Sequence, residues 1–158
     1  MVPASIVQQF DQGVKDTLQS MAGVRAVRVD AWIKDGHAMY GDVSAIIGLS
    51  GPVKGTCALS MPGDLVRRLV CRMLGMEENA PVSETDIRDG AGELVNMTAG
   101  RAKALLQHTP YKFDITLPTI ITGAGHEVYR RQDTPCLNLL YETEQGDRFV
   151  LDLALSVG

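Results

Sequence analysis

The chain is short of cysteine, of long apolar runs and of positive charge, and each shortage removes a class of function. Its three cysteines, Cys57, Cys71 and Cys136, are scattered and show no Cys-x-x-Cys spacing. That excludes a disulfide framework and a zinc site, and it fits a reducing compartment. No segment approaches the roughly 18 uninterrupted apolar residues of a membrane span. The first residues, MVPASIVQQFDQG, carry neither the basic start nor the apolar stretch of a secretion signal. Lys and Arg number 15 against 19 Asp and Glu, a formal net charge of −4. A mildly acidic protein is a poor partner for nucleic acid or an anionic membrane. Together these absences predict a cytoplasmic protein.

Familiar catalytic signatures are missing too. No Walker A sequence occurs. Gly123-Ala124-Gly125 is no dinucleotide loop, because Val128 stands where the third glycine belongs. Ser50 lacks the spacing of a nucleophile elbow. His37, His108 and His126 lie far apart without metal-ligand spacing. Asn96-Met97-Thr98 is a glycosylation sequon only formally. Arg67, Arg68 and Arg72 cluster near a predicted helix C-terminus, where the dipole favours them and where they could also steer an acidic partner.

What is present suits one domain over residues 1–158, without repeat, linker or low-complexity tract. The chain has 158 residues, 45% apolar and 22% charged. Surface scaling gives a folded area of about 7,800 Å² against about 25,000 Å² unfolded, enough burial for a core without staples.

Helical spacing of Ile6, Val7, Phe10, Val14, Leu18 and Met21 predicts a helix over Ser5–Met21, stopped at Gly23. Val24–Ile33 alternates as a strand. Val43–Leu49 and Lys54–Met61 flank Ser50-Gly51-Pro52 and read as a hairpin. A short helix follows over Asp64–Leu74, with Gly75 at its end. Ser83 and Asp86 make a capping box for the longest helical run, whose apolar positions are Ile87, Ala91, Leu94, Val95, Ala102, Leu105 and Leu106. Phe113–Thr122 is strand-like, but Pro118 demands an edge or a break. His126–Arg131 reads as a short strand, and Leu137–Glu142 with Arg148–Leu155 as a closing hairpin. The predicted class is α+β: an antiparallel sheet of about six strands, two helices packed on it and a further N-terminal helix.

The long helix has an unusual polar face. At about 100° per residue, Asp89, Asn96, Gly100 and Gln107 fall within roughly 60° of Glu93, opposite the apolar stripe. Asp89, Glu93 and Asn96 thus form a strip at i, i+4 and i+7. Gly90, Gly92 and Gly100 surround it. Each glycine costs about 1 kcal/mol against alanine inside a helix, and its physical use is close approach of another backbone. A carboxylate can pair with a cation; a carboxamide, being donor and acceptor, can hold a water in a chosen direction. Simple solvation of a polar face stays open as the alternative.

Asp89-Gly-Ala-Gly-Glu93-Leu-Val-Asn96, followed by Pro118 after 21 intervening residues, resembles the signature of the CheX/CheC/FliY family of CheY phosphatases. Val43–Gly51, Gly55–Met61 and Leu117–Gly123 extend the resemblance over roughly residues 24–156. The helix over Asp64–Leu74 has no Glu-x-x-Asn, which resembles the CheX branch with its single signature helix. The resemblance implies a phosphatase acting in trans on the aspartyl phosphate of a CheY-like receiver domain. By it, Asn96 orients the attacking water and Glu93 pairs with the receiver's lysine. Asp89, Gly92 and Gly100 serve docking. The receiver supplies Mg²⁺, and no cofactor belongs to this chain. It also implies a homodimer through sheet edges. The other reading it leaves open is an adaptor domain that binds a receiver without hydrolysis, or one whose receiver lies outside chemotaxis.

Overall fold

Residues 2–131 and 133–158 are described by the computed structural model, and every count below refers to them. The elements run α1 (Ala4–Ala22), β1 (Ala26–Ile33), β2 (Val43–Ser50), β3 (Val53–Met61), α2 (Gly63–Met73), α3 (Glu84–Leu106), β4 (Asp114–Ile115), β5 (Thr119–Thr122), β6 (Cys136–Thr143) and β7 (Arg148–Val157). The seven strands form one antiparallel sheet in the order β1-β6-β7-β3-β2, with β4 and β5 both paired to the outer side of β2. The class is α+β, as the sequence predicts. The strand count exceeds six because Pro118 splits the Phe113–Thr122 run into β4 and β5.

The three helices cover one face of the sheet. Their sequence periodicity becomes packing: Ile6, Phe10, Val14 and Leu18 of α1 and Leu94, Val95, Ala99 and Ala102 of α3 are fully buried. They meet Ile47, Cys57, Tyr141, Leu151 and Leu153 from the strands in one continuous core. Glycine sets the helix separations. A Cβ on Gly13 of α1 would stand 2.7 Å from the Thr98 carbonyl oxygen of α3, and one on Gly90 of α3 would collide with Val70 of α2. Ser83 caps α3 as predicted, its hydroxyl accepting from the Asp86 N–H at 3.0 Å. Leu105 departs from its predicted core position and is exposed, since it sits at the edge of the apolar stripe.

The other face of the sheet is covered by two crossing connections, residues 34–42 and 123–131. They are fastened to each other: Met39 N–H donates to His126 O at 3.1 Å and Val128 N–H to His37 O at 2.9 Å, and Arg130 donates to the carbonyls of Gly36 and Lys34. His126–Arg131 is therefore not the strand its sequence suggests. Its backbone contributes one bridge, Glu127 to Ala38, and spends its other bonds on this cover. Beneath it the Lys34 ammonium meets the Asp152 carboxylate at 3.0 Å, the two side chains only 9% and 8% exposed. Total accessible area is 7984 Å², close to the scaling value.

Candidate functional site

The Asp89–Glu93–Asn96 strip lies along the outward side of α3. Asp89 and Glu93 are exposed and Asn96 is half-buried. Among the described residues, no side chain hydrogen-bonds to or ion-pairs with any of the three. Their polar atoms are free to meet something outside the chain.

The strip forms one wall of a shallow groove of about 430 Å³, with Arg88 beside it and Leu117, Pro118 and Ile120 opposite. The far wall is the link between β4 and β5. Thr116 pins that link to β2: its N–H donates to Gly48 O at 3.0 Å, and its hydroxyl oxygen accepts from the Gly48 N–H at 2.9 Å. Pro118 lies over Gly92, where an added Cβ would come within 3.3 Å of the proline Cγ.

This contact changes the reading of the glycines. Gly92 is buried under Pro118 and makes room for the chain's own loop, so space for an incoming partner at that position is taken. Gly90 does the same for α2. Gly100 alone faces open space, with nothing within 4 Å of its notional Cβ. Leu117 was missed as a site residue. It is 88% exposed, yet Leu-Pro inside an apolar run gives no sign of which side faces water.

The arginine cluster is paired within the chain. Arg67 pairs with Asp64 at 3.2 Å, Arg68 with Asp147, and Arg72 with Glu78 at 2.8 Å. With each guanidinium already matched, the cluster has little charge left for steering. His126 bridges Ser44 Oγ and Gly123 O, each at 2.7 Å, and His37 stacks on Tyr129. Among the described residues, no three His, Cys, Asp or Glu side chains are grouped to hold a metal. All three cysteines are buried. Burial, reinforced by the Asp152 charge, pushes the Cys136 thiol up to about 12 and raises Cys57 as well. Both stay protonated and unreactive at neutral pH. No helix among the described residues is long and apolar enough to cross a membrane.

The strip, with its unpartnered carboxylates and carboxamide in an open groove, is where comparison with known proteins bears. The family described as chemotaxis phosphatase CheX matches residues 43–142, a span that contains every groove residue. The CheY-P phosphatase CheX of Thermotoga maritima is 33% identical over 120 residues, 76% of this chain and 77% of that protein. The crystal structure of a chemotaxis protein CheX from Desulfovibrio desulfuricans superposes with a TM-score of 0.85 at 26% identity, covering 96% of this chain and 99% of that one. A CheC-like superfamily protein from a Shewanella species gives 0.84 at 26% identity over 98% and 99%. On the family match and the Thermotoga relative, the chain belongs to the CheX family of chemotaxis phosphatases.

Proposed function

We propose that this protein hydrolyses the aspartyl phosphate of a CheY-like receiver domain, with Asn96 directing the attacking water and Glu93 fixing the docked geometry. The observation that carries the reading is the pairing of Glu93 and Asn96 on one exposed helix face, with no side-chain partner among the described residues. The Thermotoga relative named as a CheY-P phosphatase supports the substrate class.

Phosphoryl transfer asks for an in-line nucleophile and for charge neutralisation more than for covalent help. A carboxamide meets the first need. Its oxygen accepts a hydrogen bond from a water, fixing the lone pair that faces phosphorus. The water oxygen forms the new P–O bond while the bond to the aspartyl oxygen breaks, releasing inorganic phosphate and the receiver's carboxylate. The Mg²⁺ held by the receiver neutralises phosphoryl charge when bound. Glu93 stands one helical turn from Asn96 and offers its carboxylate to the receiver's lysine, which sets the register of the amide against the phosphate. Asp89, a further turn toward the N-terminus, adds negative charge to the same docking face, and Gly100 leaves it open beyond Asn96.

The test is decay of phosphorylated receiver with and without the protein. Glu93→Ala is expected to raise the half-saturating receiver concentration about tenfold, the scale of one charge-assisted pair at an interface. A fall in maximal rate at unchanged half-saturation would instead place Glu93 in the chemistry.

The protein is also proposed to be a homodimer through the outer edge of β1. Among the described residues that edge has no strand partner, and Val27, Val29, Trp32 and Ile33 beside it are 51, 43, 37 and 68% exposed. An unpaired strand with apolar side chains invites pairing with a second copy. Light scattering is expected to give twice the chain mass, and Ile33→Glu to shift it toward a single chain without loss of folded signal.

A further inference from the structure

The groove has an apolar lip that hydrolysis itself does not need. Leu117 is 88% exposed, the highest value of any large apolar side chain among the described residues. It is not there through slack. Thr116 before it is bonded to Gly48 on both its N–H and its hydroxyl. A Cβ on Gly48 would stand 3.2 Å from the Thr116 side chain, so the close approach calls for glycine. Pro118 after it has a fixed φ and rests on Gly92. Two glycines, a threonine clamp and a proline hold one leucine out into water.

We infer that Leu117 is the apolar anchor by which the receiver domain docks. This rests on the functional reading above and extends it. Continuity identifies the occupant: Leu117 faces Glu93 and Asn96 across the same groove, so a domain that brings an acyl phosphate to Asn96 covers the leucine as well. A second copy is the poorer occupant. The free β1 edge lies at the opposite end of the sheet from β4 and β5, and a dimer formed there leaves the lip open. The partner must therefore present an apolar side chain at the rim of its phosphoryl pocket, beside the lysine that meets Glu93. Because the lip is held rigid before contact, little ordering entropy opposes docking. The leucine selects among receivers, while Asn96 acts on any that fit.

The experiment uses Leu117→Ser and Leu117→Met, measuring both turnover of phosphorylated CheY and binding of CheY activated with beryllofluoride and Mg²⁺. Leu117→Ser is expected to raise the half-saturation and the dissociation constant together about tenfold, as for a central apolar contact. The maximal rate at saturating receiver falls far less. Leu117→Met, which keeps the apolar bulk, restores affinity to within about threefold. Wild-type binding by Leu117→Ser would overturn the inference, as would a loss of maximal rate with unchanged affinity. If wild type binds the activated receiver yet never hastens its dephosphorylation, the phosphatase reading falls while the binding arm still decides the lip. If it binds no receiver, both fall.

Discussion

Replacing Asn96 by alanine is expected to abolish the acceleration of receiver dephosphorylation. The rate should fall about 100-fold, or to the receiver's own spontaneous rate if that is reached first, because an unaligned water loses the advantage of positioning. The side chain is half-buried on an exposed helix face and has no bonding partner among the described residues, so its removal leaves no buried polar group stranded. Circular dichroism and thermal unfolding should match wild type within about 0.5 kcal/mol. Binding of beryllofluoride-activated receiver should persist, since Glu93 and Leu117 are untouched. Turnover within a few-fold of wild type would remove Asn96 from the chemistry. Loss of binding along with turnover would make it a docking residue instead.

Lys34→Met is expected to have the largest effect on stability, about 3 kcal/mol, seen as a drop of about 10 °C in the unfolding midpoint. The Asp152 carboxylate sits on the covered face of the sheet, opposite Ala58 on one side and Asn138 on the other. Its bonds are to the Lys34 ammonium and to the Cys136 thiol, which donates at 3.1 Å. Removing the lysine leaves a largely buried carboxylate without its cation. Lys34→Met with Asp152→Asn should recover much of the loss, because the stranded charge disappears with its partner. A shift below about 2 °C for the single variant would mean that water reaches Asp152 freely. The groove is built on the helical side of the sheet, so activity of the folded fraction should be unaffected.

Neither Lys34 nor Asp152 stands out in the sequence. Lys34-Asp35-Gly36 reads as a turn, and Asp152 interrupts a strand that is otherwise apolar. Pairing them requires knowing that residues 34–42 cross the outer face, which is long-range information that no local pattern carries. The same limit explains His126–Arg131, whose strand-like composition is satisfied by one bridge and several loop bonds. The α3 strip was legible for the opposite reason. Helical period fixes which residues share a face, and the Asp-x-x-x-Glu-x-x-Asn spacing needs no tertiary contact to be read. The glycines around it show the boundary. A helical projection identifies Gly90, Gly92 and Gly100 as sites of close approach, but which are filled by α2 and Pro118 and which stays open depends on chain that returns from elsewhere. Pro118 was legible as a break in a strand; that it rests on Gly92 and holds Leu117 outward was not.

The position of β7 has a consequence for how the molecule is made. It lies between β6 and β3, yet it is translated after both. Until residues 148–157 leave the ribosome, the β2–β3 hairpin and β1 have no strand joining them, and the helices have only part of a platform to settle on. Most of the sheet's pairings link distant parts of the chain, an arrangement that folds slowly. Strand edges therefore stay exposed until residues 148–157 are made, and the groove beside α3 rests on a complete sheet only once a strand far from it has closed the gap.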